Sequence, residues 1–273
     1  MAFDTSKLGT RELDVTYCTV EGVDLKLDLY YPTAGGPWSD GPWPALIWVH
    51  GGAWTEGDKA PLPVNAAAAG FLMASLNYRL YPAYRFPTMI QDLKCAIRYL
   101  RAHAAAYNLD PACISLVGHS AGGHLVALAG MAEESAGWDV GPYRDQSSRV
   151  QAVVAMSAPA DLTTRYPDWA EAIKIAVFGP EGLDGASPIR HVHADAPPFL
   201  IVHGAADPLI PVAQAHLLHD TLRAAGVPSE LLIVESAGHG FEPVGGTPAP
   251  SMEQVLAGML TFLTGIVNPP VQE

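Results

Sequence analysis

The feature that most constrains this chain is a Gly-x-Ser-x-Gly turn at residues 118–122. An apolar run typical of a buried strand precedes it at residues 113–117, and an apolar run typical of a helix follows it at residues 123–129. This order predicts a nucleophile elbow, a sharp turn that presents the hydroxyl of Ser120 at the end of a strand. Both glycines suit such a turn, because a Cβ at either position would clash where strand and helix converge.

The rest of the sequence alternates strand-like and helix-like segments. Strands are predicted at residues 13–18, 23–30, 45–49, 71–76, 114–117, 150–156, 199–202 and 231–234. Helices are predicted at residues 89–106, 211–225 and 251–266. The first two strands show period-two alternation, which predicts a hairpin with its turn at Glu21 and Gly22. Continuously apolar strands separated by helices indicate an α/β fold, with a mostly parallel eight-stranded sheet flanked by helices.

The chain is predicted to form a single domain over residues 1–273, with one irregular insertion. Residues 158–192 are rich in glycine and proline around one short helical run at residues 169–177. A long irregular segment in a compact domain is usually functional or mobile. We interpret this segment as a small cap over the site.

Charge and cysteine content bound the class of partner and the compartment. The net charge of −13 argues against nucleic acid or an anionic membrane, because phosphate binding requires clustered Lys and Arg. No apolar window reaches the ~18 residues of a membrane span, and the N-terminus lacks the basic-then-apolar order of a signal peptide. Cys18, Cys95 and Cys113 are odd in number and widely spaced, which predicts buried free thiols rather than disulfides or a metal site. These features predict a soluble cytoplasmic protein with a small-molecule partner, and they leave a homodimer open.

Partners for Ser120 follow later strands. A serine nucleophile needs a base, and the base needs an orienting acid. Asp207 comes after the strand at residues 199–202, and His239 comes after the last strand, between two glycines. Because parallel strands end at one edge of a sheet, these side chains are predicted to meet Ser120 there. Asp207 as a turn or N-cap residue, and His239 as an ordinary loop histidine, are the alternatives. His119 is predicted to point away from the serine.

A histidine–glycine loop supplies the remaining chemistry. The strand at residues 45–49 ends in His-Gly-Gly-Ala-Trp at residues 50–54. Small residues there let the backbone approach a substrate oxygen, where N–H groups stabilise the charge of a tetrahedral intermediate. The predicted donors are the N–H groups of Gly52, Ala53 and Ala121.

With these motifs in order, the chain resembles the α/β-hydrolases. The resemblance is to the esterase/lipase branch, which includes hormone-sensitive-lipase-like carboxylesterases and bacterial feruloyl-esterase-like proteins, and it covers roughly residues 12–266. Further matches are Asp-Leu-Tyr-Tyr-Pro at residues 28–32 and Asn-Tyr-Arg-Leu at residues 77–80. The resemblance implies a serine carboxylesterase that forms an acyl-enzyme through Ser120, His239 and Asp207 and uses no cofactor or metal.

The oxyanion loop leaves the substrate class open. Ala53 stands where the hormone-sensitive-lipase-like pattern has a third glycine, and His-Gly-Gly-x-Trp also resembles kynurenine-formamidase-like enzymes. A formamide hydrolase and a peptidase therefore remain alternatives, and a non-catalytic binding module is a remote one. A small cap predicts an open site for short-chain or aryl esters. Its predicted walls include Trp54, Trp169 and Phe241.

Overall fold

One eight-stranded sheet forms the centre of the protein. The computed structural model describes residues 5–35, 38, 41–60, 62 and 66–267. The strands are β1 (Arg11–Val20), β2 (Val23–Tyr30), β3 (Trp43–Val49), β4 (Leu72–Leu76), β5 (Leu109–His119), β6 (Ala152–Met156), β7 (Phe199–Gly204) and β8 (Ser229–Val234). They lie in the order β1-β2-β4-β3-β5-β6-β7-β8. The pairs β1–β2 and β2–β4 are antiparallel and all other pairs are parallel, which confirms the predicted mostly parallel sheet.

The N-terminal hairpin forms as predicted. Val20 pairs with Val23, so Glu21 and Gly22 make a two-residue turn. Both residues have positive φ, 53° and 80°, as a tight turn between twisted strands requires. This hairpin adds the antiparallel edge of the sheet.

Helices cover the parallel strands. They are α1 (Thr88–Ala102), α2 (Ala104–Tyr107), α3 (Ala121–Met131), α4 (Asp168–Phe178), α5 (Ala213–Ala224) and α6 (Met252–Val267). Every residue of β3, β4, β6 and β7 is buried, as expected for strands with both faces covered. Among the described residues, no helix is both long and apolar enough to cross a lipid bilayer.

The helix predicted at residues 89–106 is two helices in the structure. The break falls at His103, whose φ of −104° and ψ of 16° are not helical. Its backbone N–H and its ring Nδ1 both bond to the carbonyl oxygen of Tyr99, at 3.0 and 2.8 Å. A side chain that competes for a backbone carbonyl ends a helix in a way that apolar periodicity does not reveal.

Two cysteines correct the prediction of free thiols. Cys18 on β1 and Cys95 on α1 form a disulfide, with their Cα atoms 6.5 Å apart and both residues almost fully buried. Their 77-residue separation becomes proximity only when α1 packs on β1, so spacing alone could not reveal the pair. Cys113 is free and half-buried. Disulfides persist mainly in oxidising compartments. The predicted cytoplasmic location rested in part on free thiols, and the disulfide removes that argument.

The disulfide predicts a redox-dependent stability. Closing a loop of this length removes entropy from the unfolded chain, and we expect reduction to lower the free energy of unfolding by about 2–4 kcal/mol. The measurement is thermal or urea unfolding with and without a reducing agent. Cys113→Ser should keep the redox difference and Cys95→Ser should abolish it; equal stability of the oxidised and reduced wild type would contradict the prediction.

Candidate active site

Ser120 occupies a strained elbow between β5 and α3. Its φ of 57° and ψ of −119° are unfavourable for a residue with a Cβ. Its N–H donates to the carbonyl of Met156 at 2.9 Å. A Cβ on Gly122 would lie 2.0 Å from the carbonyl oxygen of Val49, and one on Gly118 would lie 2.4 Å from that of Gly122. The structure therefore confirms the predicted elbow and the need for both glycines.

Three side chains form a continuous chain of hydrogen bonds. His239 Nε2 lies 2.9 Å from Ser120 Oγ, and His239 Nδ1 lies 2.7 Å from Asp207 Oδ2. A carboxylate only accepts, so Nδ1 carries the proton and Nε2 accepts from the serine hydroxyl. The side chain of Asp207 is fully buried, while that of His239 is 19% exposed. The hydroxyl thus faces an imidazole nitrogen that can accept its proton.

The acid end of this chain is held as an anion. Burial acts to raise the pKa of Asp207, but hydrogen bonds from His203 and His239 outweigh burial and hold the pKa well below its usual range. The N–H groups of Leu209 and Ile210 also donate to Asp207 Oδ1, at 2.8 and 2.9 Å. His203 Nε2 lies 3.3 Å from Asp207 Oδ2 and 2.8 Å from the Ile210 carbonyl oxygen. These partners fix the carboxylate toward His239.

The backbone of the His239 loop is anchored through one carbonyl. The His239 carbonyl oxygen accepts from His119 Nε2 at 2.8 Å and from Ser157 Oγ at 2.9 Å. Burial lowers the pKa of His119, and because a carbonyl oxygen only accepts, Nε2 is the nitrogen that donates to it. The sequence predicts that His119 points away from Ser120, and its Nε2 indeed bonds to the His239 carbonyl oxygen instead. We call these two donors and the carbonyl the carbonyl clamp.

The loop after β3 has an unusual backbone conformation. Gly52, Ala53 and Trp54 all have positive φ, at 102°, 49° and 61°. A Cβ on Gly52 would lie 2.1 Å from the Glu56 carbonyl oxygen. Tyr78 donates from its hydroxyl to the His50 carbonyl oxygen at 3.0 Å and stacks on the His50 ring at 4.3 Å. The loop is therefore rigidly seated beside the elbow.

Three backbone N–H groups near the serine make no hydrogen bond within the described residues. In the described part of the chain, the N–H groups of Gly52, Ala53 and Ala121 have no hydrogen-bond acceptor. Ala121 is the first residue of α3, where the helix dipole favours negative charge. Ala53 and Ala121 line the same pocket as Ser120, whereas Gly52 does not. The arrangement suits a bound oxyanion.

The pocket that contains Ser120 is narrow and mostly apolar. Its volume is about 30 Å³. Its other walls are Ala53, Trp54, Ala121, Pro159, Tyr166, Trp169, Ala170, Ile173, Lys174, Leu209 and Ile210. Two of the three predicted wall residues, Trp54 and Trp169, therefore lie in it, the second 56% exposed at its mouth. Phe241 does not line this pocket; it packs against the ring of His119 and lines a separate one.

The segment predicted as a cap contributes α4 to this pocket. A buried glutamine on α5 joins the segment to the body: Gln214 Oε1 accepts from the N–H groups of Ala160 and Asp161 at 2.9 and 2.7 Å. Its Nε2 donates to Thr164 Oγ1 at 3.0 Å. The ammonium of Lys174 donates to the Thr164 carbonyl oxygen at 2.7 Å and pairs with the carboxylate of Glu171 at 2.8 Å. The pocket wall is thus apolar although a lysine forms part of it.

Several supporting residues carry no motif of their own. His203 and Ser157 follow the general rule that strand ends build the site, since His203 lies on β7 and Ser157 follows β6. That position is the one signal by which they could have been found. Gln214 gives no such signal, because it lies inside an amphipathic helix.

Comparison with known proteins agrees with this geometry. The family model described as BD-FAE matches residues 27–222, which include Ser120 and Asp207. The chain belongs to the BD-FAE family. This confirms the resemblance to esterases of the feruloyl-esterase-like branch.

Similar proteins in sequence and in structure carry esterase names. Esterase LipC of Mycobacterium tuberculosis is 36% identical over 75% of this chain and 55% of its own length. A truncated carbohydrate esterase from gut microbiota superposes with a TM-score of 0.79 at 29% identity, covering 97% of this chain and 99% of that one. Thermogutta terrifontis Est2 with butyrate bound superposes with a TM-score of 0.78 at 28% identity, covering 98% of both chains. The chain spans about half the length of the curated relatives it matches.

The carbonyl clamp predicts a role for Ser157 in turnover. Ser157→Ala removes one of the two donors to the His239 carbonyl, a loss on the order of 1 kcal/mol in hydrogen bonding. We expect kcat for an ester to fall about ten-fold with little change in KM, since the imidazole loses positioning. Ser115→Ala is the matched control, because Ser115 is equally buried and its hydroxyl has no hydrogen-bond partner among the described residues. Equal kcat in the two variants would refute a positioning role.

Proposed function

We propose that this protein is a serine carboxylesterase that hydrolyses short-chain or aryl esters. The observation that carries the proposal is the chain of hydrogen bonds from Ser120 Oγ through His239 to Asp207, at 2.9 and 2.7 Å. The esterase names of its relatives support the same reaction class. A non-catalytic binding module would have no need of this alignment.

The reaction proceeds through an acyl-enzyme. Ser120 Oγ attacks the ester carbonyl carbon while His239 Nε2 takes the hydroxyl proton, and Asp207 stabilises the imidazolium. The N–H groups of Ala53 and Ala121, two of the three predicted donors, stabilise the tetrahedral oxyanion. His239 then donates the proton to the departing alcohol oxygen. Water, deprotonated by the same imidazole, attacks the acyl carbon and releases the carboxylic acid and the free serine.

The pocket dimensions favour small acyl groups. The space beside Ser120 is about 30 Å³, closed on one side by Trp54 and on another by α4. Est2, with which the chain shares its fold, is solved with propionate and with butyrate bound. We propose acetyl to butyryl as the acyl range of this chain.

Ser120→Ala should abolish ester hydrolysis, with a loss on the order of 10⁴- to 10⁶-fold in kcat. The hydroxyl lies at the surface of the pocket, so circular dichroism and the melting temperature should stay unchanged. His239→Ala should be nearly as damaging and Asp207→Asn somewhat less so, because the acid orients the imidazole without taking the proton. The assay is hydrolysis of p-nitrophenyl acetate, with labelling by a fluorophosphonate probe.

The same assay separates the other bond classes. N-formylkynurenine and an aminoacyl anilide should be hydrolysed far more slowly than the ester. Faster turnover of the formamide would assign a formamidase instead. Failure of the probe to label the wild type, or retention of more than a tenth of the activity by Ser120→Ala, would reject the serine mechanism.

Acyl-length preference is the second prediction from this site. We expect kcat/KM on p-nitrophenyl esters to be highest between acetate and butyrate and to fall for longer chains. Each methylene that found an apolar surface would add ~0.8 kcal/mol, so a long acyl tunnel would give a continuous rise. A rise sustained to decanoate would contradict the proposal.

The remaining assignments stay predictions. They are a small-molecule ester as partner, no nucleic acid or membrane partner, a cytoplasmic location, and no cofactor or metal in the reaction.

A further inference from the structure

A second apolar pocket borders the candidate site. It has a volume of about 280 Å³. It is lined by Trp48, His119, Met156, Gly240, Phe241, Met252 and Leu256. None of these residues is an Asp, Glu, Lys or Arg, and none of them lines the pocket that contains Ser120.

Three residues of this lining lie within two positions of Ser120 or His239 in the chain. His119 immediately precedes Ser120, and Gly240 and Phe241 immediately follow His239. The His119 ring lies 5.0 Å from the His239 ring and 6.0 Å from the Phe241 ring, centre to centre. The pocket therefore borders the site on the side of the imidazole.

His119 also reaches the other border of the site. A Cβ on Gly51 would lie 3.2 Å from Ser120 Cβ and 3.5 Å from His119 Nδ1. Gly51 therefore lies next to both Ser120 and the ring of His119, which lines the second pocket.

The chemistry of ester cleavage assigns the two pockets to the two halves of an ester. In the tetrahedral intermediate the oxyanion faces the N–H groups of Ala53 and Ala121, and both residues line the first pocket. The alcohol oxygen must face His239 Nε2, because it receives the proton from there. The half of the ester beyond that oxygen therefore extends along the imidazole, toward Gly240 and Phe241.

We propose that the second pocket binds the alcohol half of the ester, and that this half is an apolar alkyl or aryl alcohol. The inference rests on the proposed esterase function and adds the class of leaving group. An apolar cavity of about 150 Å³ accommodates benzene, so 280 Å³ has room for an alcohol of benzyl or hexyl size. The acyl half stays short while the alcohol half is large. Phe241, predicted as a wall residue of the site, would then contact the alcohol half of the substrate.

The test varies the alcohol at constant acyl group. Methyl, propyl, butyl and hexyl acetate have leaving groups of similar basicity, so differences in kcat/KM report binding along the reaction path. For the wild type we expect kcat/KM to rise two- to four-fold per added methylene up to hexyl, the upper figure being full burial of each group. 1-Hexanol should inhibit methyl acetate hydrolysis competitively, at a concentration at least ten-fold lower than 1-propanol.

A charge in the pocket tests the location. Met252 is the first residue of α6 and 36% exposed, so Met252→Glu leaves a favourable helix start and places a carboxylate at the pocket rim. We expect Met252→Glu to lower the hexyl-to-methyl ratio of kcat/KM at least five-fold. Met252→Leu, which keeps an apolar side chain, should leave this ratio at the wild-type value. Leu13→Glu is the matched control, an exposed apolar residue on the edge strand β1.

A reciprocal variant separates the two halves. Ile173 lines the first pocket, so Ile173→Ala should alter the acetate-to-butyrate ratio of methyl esters and leave the alcohol ratio unchanged. An alcohol series that is flat in the wild type, or an effect of Met252→Glu on the acyl series instead, would overturn the assignment. If Met252→Glu fails to fold, the inhibition of the wild type tests the proposal instead: 1-hexanol that inhibits no better than 1-propanol would overturn it. Absence of Ser120-dependent ester hydrolysis would reject the esterase function itself, whereas hydrolysis without alcohol selectivity would reject only this inference.

Discussion

The contact on which the site depends is the close approach of the first turn of α3 to the ends of β3 and β5. A backbone can come this near only where no side chain intervenes, and Gly118 and Gly122 provide that space. The approach forces Ser120 into a strained conformation with positive φ, which costs on the order of 1–3 kcal/mol. Packing of the buried helix α3, which is apolar apart from His124, against β5 and β6 offsets this cost. The position of Ser120 Oγ is thus set by the core rather than by a flexible loop.

The imidazole has no such element to hold it. His239 lies in an irregular loop after β8, so its position depends on polar contacts from neighbouring strand ends. The carbonyl clamp fixes the backbone, and Asp207 fixes the ring. The two clamp donors come from the ends of β5 and β6. The position of the His239 loop therefore depends on the same part of the sheet that positions Ser120. A rigid sheet can therefore align side chains that are 119 residues apart in sequence.

The features that can be predicted from the sequence are those that depend on residues close together in the chain. The elbow, the histidine–glycine loop and the order of Asp207 and His239 depend on short motifs at strand ends, and each lies where the motif requires. The disulfide of Cys18 and Cys95 and the bond from Ser157 to the His239 carbonyl depend on packing between distant segments, which no spacing encodes. Phe241 shows the same limit: its place in the chain puts it two residues after His239, but it lines a different pocket from Ser120 and packs against His119.

The two pockets belong to different helices, one on each side of the serine. The first is walled by α4, inserted between β6 and β7, and the second by the start of α6 at the C-terminal end of the fold. They share no residue, so substitutions in one are expected to change free energies independently of substitutions in the other. Such a division makes the scaffold modular: one half of a substrate can be exchanged by evolution or by an engineer without rebuilding the contacts to the other half.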